Sequence, residues 1–414
     1  MHADDGWSDG PAVGSKDNRR GTFTLFKASS SHEPSTQGRT VSLGHSAGRM
    51  TFRTATRTGA VILLGALVAS GCSGGIAERR SAKPVRRIVP ATSVRVATTA
   101  SVPASRLVAW KGPVEHLFFH TLVIHPELAF TSAPIGQGFR DWFVTVGEFR
   151  AILEQLYANG WTLVDINRAA RGLARVPPGR RPLVLSEDDV NYYDDTRALG
   201  VGWKLALDTH GDIKVEEHDL FGIHLTDHDL VPIVDEFVSG HPLFSADGAK
   251  GVLAVTGYEG VLGERVNDRT APDWSATVAR AKALVARLRA TGWTFASHSY
   301  AHVDETKVSV ARLMHDSTEW KTEDEPIVGP TDVYVYPYGA GFPIDSPKID
   351  LLRGFGFTVL CDIDVVPRLT VGNGVTVMTR RHIDGVSFAD QPTALAKFFD
   401  VSTVEDYAAR GIMH

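Results

Sequence analysis

Two short stretches hold the ionisable groups best placed to do chemistry in this 414-residue chain. Pro182–Ser186 (PLVLS) runs directly into Glu187-Asp188-Asp189, and Trp293–Ser297 (WTFAS) runs into His298-Ser299-Tyr300-Ala301-His302. Three acids in succession after an apolar strand repel one another unless a cation or a shared proton offsets them. The H-x-x-x-H spacing predicts two imidazoles on one face of a helical turn, within reach of one metal ion. One carboxylate and two imidazoles make a three-ligand site with room for water, the donor set of catalytic rather than structural zinc. A second, adjacent carboxylate then has a role, because water attacking a carbonyl needs a general base beside it. Alone, an acid pair is more often a helix cap and H-x-x-x-H often a surface pair. Both at strand ends in one alternating pattern point to a site.

The elements that must position these groups can be read from apolar spacing. Strand-like runs are His116–Val123, Trp161–Ile166, Pro182–Ser186, Gly251–Thr256, Trp293–Ser297, Val333–Tyr336, Phe357–Cys361 and Val375–Met378. Helical patterns lie between most of them, at Val146–Asn159, Leu230–Ser239, Ser275–Thr291, Thr306–Lys321 and Ser346–Gly354, with Thr393–Phe399 after the last strand. The first of these helices places Phe149, Ile152, Leu153 and Leu156 on one stripe. Strands alternating with helices predict an α/β fold with a parallel sheet and right-handed crossovers, and eight such strands predict a (β/α) barrel or a distorted one. Its active site belongs at the C-terminal ends of the strands, where both stretches sit. Residues 190–229 hold no clear strand and read as an insertion on the rim of the active face. Within it, Asp227, His228 and Asp229 read as loop and helix-cap residues.

The formal net charge of -5 sums unlike parts. Residues 1–49 carry 6 basic and 5 acidic side chains, residues 50–106 carry 9 and 1, and residues 107–414 carry 28 and 42. A folded part at -14 is a poor partner for nucleic acid, whose phosphates need clustered Lys and Arg. Thr58–Cys72 (TGAVILLGALVASGC) follows Arg53 and Arg57, is short for a membrane span, and reads as a secretory signal. Ala69-Ser70-Gly71-Cys72 resembles the lipobox of bacterial lipoproteins, which implies lipidation of Cys72 and a lipid anchor as the only membrane contact. Met50 then reads as the biological start, residues 1–49 as an extension, 50–72 as the signal and 73–106 as a flexible Ser/Thr/Pro/Ala/Arg linker before a domain over 107–414. Of the two cysteines, Cys361 would be left without a disulfide partner.

Residues of roughly 114–400 resemble the polysaccharide deacetylases with the NodB homology domain, carbohydrate esterase family 4. Ser186-Glu187-Asp188-Asp189-Val190 is similar to the family's T-F-D-D-G motif, which implies Asp188 as catalytic base and Asp189 as metal ligand. His298-Ser299-Tyr300-Ala301-His302 is similar to its second motif and implies His298 and His302 as the metal imidazoles. Tyr336-Pro337-Tyr338-Gly339 is similar to its third, which implies an oxyanion contact from the Tyr338 N–H, with Pro337 at the substrate. Phe119-His120 and Thr145–Ile166 resemble the approach to the first motif, and His120 and Tyr258 are further candidates for substrate binding. Arg381-His382 echoes a fifth motif and implies His382 as general acid. Val190 replaces the first motif's glycine, the third motif's arginine that orients the base is absent, and no Trp follows Phe357–Cys361.

The resemblance implies a distorted (β/α) barrel and a hydrolase dependent on a divalent metal, zinc by its donor set. Its substrate would be the N-acetyl groups of a cell-surface polysaccharide or peptidoglycan, and its place the outer side of the cytoplasmic membrane or the medium. The alternatives from the same residues are a non-catalytic glycan-binding protein and a hydrolase of another amide or ester.

Overall fold

Seven parallel strands close into a ring in chain order: β1 Glu115–Phe119, β2 Arg181–Glu187, β3 Val252–Val255, β4 Thr294–Ser297, β5 Val333–Val335, β6 Val359–Ile363 and β7 Val375–His382. β7 pairs with β6 along five residues and closes on β1 through Arg381 opposite Leu117 and His382 opposite Phe118. The computed structural model describes residues 101–131 and 134–412, so the expected extension, signal, lipidation at Cys72 and most of the linker lie outside the described residues. Within them, Val102 and Leu107 are already buried against the floor of the barrel, with Val102 bridged to Ala246. No helix of the described residues is long and apolar enough to cross a membrane.

The fold is the expected (β/α) barrel with one correction, seven staves in place of eight. Trp161–Leu163 is a strand, but its one strand partner is Arg181–Leu183 at the start of β2, with a single bridge from Leu163 to Ser245 on its other side, while β3 takes Ser186 and Glu187 further along the same edge of β2. The two share one side of β2, so the ring has no place for an eighth stave. Alternation along each strand sorts two cores. Val184, Val252, Ala254, Ala296, Val335, Cys361 and Met378 point inward, and Leu183, Leu185, Leu253, Val255 and Phe295 point out to the helices. Those helices include α1 Val146–Ala158, α2 Leu230–Gly240, α3 Trp274–Ala290, α4 Val310–Glu323 and α5 Pro347–Gly354. α1 begins at a capping box in which Thr145 and Glu148 satisfy each other's backbone N–H, and it buries all four residues of the expected stripe.

The 190–229 insertion needs a second correction. It carries a three-stranded antiparallel sheet, Lys204–Leu207, Ile213–Asp219 and Gly222–Thr226. In the central strand only Ile213, Val215 and Glu217 face inward, and the alternating Lys, Glu and His give it a polar composition that hides the period of two. β7 also runs past the expected end at Met378 to His382, which carries Arg380 into the barrel.

Candidate metal centre and active site

The ends of β2 and β4 bring Asp189, His298 and His302 together, with one ligand atom from each within 4.8 Å of the others. Asp189 Oδ1 lies 3.9 Å from His298 Nε2 and 3.8 Å from His302 Nε2, spacings that one ion between them would bridge. His298 Nδ1 donates to the Val335 carbonyl at 2.9 Å, so the tautomer presents Nε2 to the centre. Burial, offset in part by Asp189, lowers the His302 pKa to about 4, so this imidazole is neutral and ready to ligate near pH 7. Burial would raise the Asp189 carboxyl, but the nearby His302, His298 and His120 and a hydrogen bond from Tyr193 hold it far below the usual range.

The loop joining the two imidazoles corrects the expected helical turn. Residues 298–302 are not helical, and Ser299 and His302 both adopt left-handed backbone, with φ of 59° and 47°. The bend is held by Asp316 of α4, whose carboxylate accepts from the N–H groups of Tyr300 and Ala301 at 2.8 and 2.9 Å. Among the described residues, eight other than glycine have positive φ, and Asp189, Tyr192, Ser299, His302 and Tyr338 are five of them. Each such residue costs on the order of 1–3 kcal/mol, and clustering at one end of the barrel marks where function holds the backbone in place.

Asp188 stands beside the three-ligand group rather than in it. Its carboxylate receives a two-pronged contact from Arg380, 2.7 Å to Oδ1 and 3.0 Å to Oδ2, and both side chains are buried. Burial pushes the Asp188 carboxyl up, but Arg380 and His298 outweigh it, and the group is held ionised. Arg380 lies over the Phe118 ring at 4.1 Å and shares Ser186 Oγ with His116, whose own pKa burial and Arg380 push down. An arginine forked onto Asp188 is therefore present, supplied by β7 instead of the segment expected to carry it. Met378 faces the barrel interior, and the period of two places Arg380 on the same face.

The third acid is resolved by a proton. Glu187 shares a strand face with Leu183 and Leu185, points outward, and is fully buried with both carboxylate oxygens unpartnered. Burial first, then Asp229 and Asp188, raises its pKa well above the usual range, which favours the uncharged form. Asp229 caps α2 through Leu230 N and also accepts from Tyr192 OH and Leu122 N, which fits the loop and cap reading of 227–229.

The other expected residues divide. Tyr338 packs its ring against His302 at 4.7 Å and is half exposed at the mouth, with φ of 58° after the buried Pro337, which sets the turn. His120, at the end of β1, donates from Nδ1 to the Trp142 carbonyl at 3.0 Å, and its charge acts on Asp188, Asp189 and His302. Tyr258 packs against Tyr193, ring centroids 5.5 Å apart. His382 has both nitrogens engaged, Nδ1 with Asp384 at 2.8 Å and Nε2 with the Gln391 amide at 3.0 Å. Reading the sequence missed Arg380, Asp316, and the Tyr193 and Thr256 hydroxyls that donate to Asp189 Oδ1 at 2.6 and 2.8 Å.

The chain matches no family model and no curated protein. Among solved structures it is similar to the Streptococcus pyogenes deacetylase PplD in complex with acetate, at 13% identity and TM-score 0.40, over 67% of this chain and 94% of that one. It is also similar to a de-N-acetylase from Aggregatibacter actinomycetemcomitans, at 16% and 0.41 over 70% and 100%. BC0361, a polysaccharide deacetylase from Bacillus cereus, matches at 14% and 0.40 over 69% of each chain.

Proposed function

We propose that the chain is a metal-dependent hydrolase that removes N-acetyl groups from amino sugars of a cell-surface or extracellular polysaccharide. The observation that carries this reading is the pairing of a three-ligand group, Asp189, His298 and His302, with a separate buried carboxylate, Asp188, kept ionised by Arg380. A glycan-binding protein needs no such base. The donor set of two imidazoles and one carboxylate favours Zn²⁺ as the ion, with a coordination position left for reactants. The proposed setting is outside the cell, with a lipid on Cys72 as the anchor.

A divalent cation in this group supplies Lewis-acid polarisation of the acetamide carbonyl. Asp188 takes the proton of the attacking water, and the Arg380 fork fixes the carboxylate plane so that one oxygen faces the centre. As the carbonyl carbon becomes tetrahedral, the Tyr338 N–H donates to the oxyanion, a contact of a kind worth about 10²–10³ in rate. His120 then gives a proton to the leaving amine. It is preferred over His382 for this step because its Nδ1 alone is engaged, whereas Asp384 and Gln391 occupy both nitrogens of His382.

Acetate release from N-acetylglucosamine oligomers by the full chain, with and without chelator, tests the reading. Asp188→Asn is expected to keep metal and lose turnover, and His298→Ala to lose both. Full activity in either variant contradicts the assignment.

A further inference from the structure

The insertion sheet carries apolar side chains where a fold has least use for them. Ile213–Asp219 and Gly222–Thr226 pair through Asp219 opposite Gly222, so their hairpin turns on two residues, Leu220 and Phe221. Turns of this length favour Asn, Asp and Gly, which reach the needed backbone angles and face water. Here both positions are large and apolar, and they are 100% and 90% exposed. Ile223 and Leu225 follow on one face of the outer strand, 66% and 44% exposed, and none of the four joins a hydrophobic cluster of the described residues. The turn is nevertheless held. Asp219 Oδ1 accepts from the Phe221 and Gly222 N–H groups at 2.7 and 3.1 Å and lies 3.1 Å from His224 Nε2. Leu220 and Phe221 are therefore displayed by a fixed turn whose N–H groups at 221 and 222 are already paired.

The hairpin stands at the end of the barrel that carries the metal centre. Asp212, just before its first strand, reaches Arg287 in the last turn of α3 at 3.5 Å, near where α3 leads into the start of β4. Further along, Glu216 pairs with Lys204, whose ammonium meets Glu264 of the loop after β3 at 3.1 Å, and Glu217 meets His125 of the loop after β1 at 2.8 Å. The strand thus climbs from the floor of the barrel to the loops of the active face. At about 3.3 Å per residue, the turn lies roughly 13 Å beyond Glu216.

Size and tether define the partner. The four apolar side chains offer on the order of 400 Å², half of the roughly 800 Å² per partner that a stable protein interface takes. One projecting turn of Leu and Phe suits a bilayer instead, where apolar groups sink about 5–10 Å into the boundary of headgroups and acyl chains. The sequence also brings the domain to a membrane. The apolar run ends at Cys72, and the chain from there to Ser101 spans at most about 100 Å. Residues 213–227 carry four acids, Glu216, Glu217, Asp219 and Asp227, against Lys214, so the attraction is apolar and not electrostatic.

We propose that Leu220 and Phe221 are a membrane-insertion tip, a contact with the bilayer beyond the lipid on Cys72. Once inserted, the tip brings the end of the barrel that carries Asp189, His298 and His302 to the lipid surface. How the domain reaches a bilayer rests on the anchor proposed above, whereas the affinity of the tip for lipid does not.

A thiol-reactive NBD fluorophore at Phe221→Cys in the full chain tests this with phosphatidylcholine vesicles, Cys72→Ser and the burial of Cys361 confining the label to position 221. The label reports its own surroundings, so binding through Thr58–Cys72 alone leaves it unchanged. It is expected to brighten about twofold or more and shift to the blue, while the same label at the exposed Thr209→Cys, in the turn between Leu207 and Ile213, stays as in buffer. Adding Leu220→Ser should raise the lipid concentration needed by about tenfold, and anionic phosphatidylglycerol in the vesicles should weaken the response. No change at 221, or an equal change at Thr209→Cys, would overturn the proposal. So would a response to protein concentration or to N-acetylglucosamine oligomers in place of vesicles, which would give the tip to a second copy or to the polymer. A vesicle response at 221 in a protein whose Cys72 carries no lipid in cells would uphold the tip while removing the anchor.

Discussion

Replacing Arg380 by Met keeps side-chain bulk in the barrel but strips the base of its counter-charge. Two charge-assisted hydrogen bonds of 2.7 and 3.0 Å join side chains that are 0% and 4% exposed. Two unit charges about 4 Å apart attract by about 4 kcal/mol at an effective dielectric of about 20. At 1.36 kcal/mol per pH unit, losing that attraction moves the carboxylate's titration upward by about 3 pH units. The acid limb of the rate profile should therefore shift up by up to that amount, and the rate near pH 7, where a carboxylate that starts below its ordinary 3.8 stays mostly ionised, should fall far less than in Asp188→Asn. Stability should drop by about 3–5 kcal/mol, because one partner of a buried pair is left uncompensated. Arg380→Lys restores the charge without the fork and should recover part of the pH profile but less of the rate. The double variant Asp188→Asn/Arg380→Met should be more stable than Arg380→Met alone, since no lone charge remains. Acetate release against pH, with urea denaturation of all four proteins, gives both readouts. An unshifted acid limb in Arg380→Met, or a double variant no more stable than that single one, would refute the reasoning.

Other consequences follow from neighbouring residues. Asp316→Ala releases the two N–H groups that bend residues 298–302, and metal affinity by competition with a chelator should weaken about 10–100-fold, as for other supports of metal ligands. The His302 pKa, about 4, lies below its ordinary 6.5, so on acidification the unfolded chain takes this proton first. Stability from this group is then present above pH 6.5 and lost as pH falls from 6.5 toward 4, a slope that thermal melts should show and His302→Gln should remove. His120→Ala should lower kcat by about 10²–10⁴ with metal content intact, and His382→Ala should lower it much less; the reverse order would restore His382 as the acid.

Much of the barrel was legible because its staves are apolar on both faces and short, and because helices with a clear stripe separate them. The two motifs at strand ends were legible for the same reason, since an ionisable run stands out directly after PLVLS or WTFAS. The polar insertion sheet was not, because its inward residues are interleaved with Lys, Glu and His. Arg380 was missed through a boundary error, as ending β7 at Met378 left the arginine outside the strand whose alternation turns it inward. Asp316 and Thr256 were beyond reach, since their contacts, with the N–H groups of Tyr300 and Ala301 and with Asp189, join different elements. The count of eight staves failed because pairing, not composition, decides that Trp161–Leu163 meets one stave alone, the start of β2.

The account's central claim is that Asp189, His298 and His302 form one divalent-metal centre, with Asp188 outside it. Metal titration of the full chain and its variants, read by elemental analysis after dialysis, tests this most directly. One tightly held equivalent per chain is predicted for the parent and for Asp188→Asn, and none for Asp189→Ala, His298→Ala or His302→Ala. A parent that retains no metal, or the same content in His298→Ala as in the parent, would contradict it.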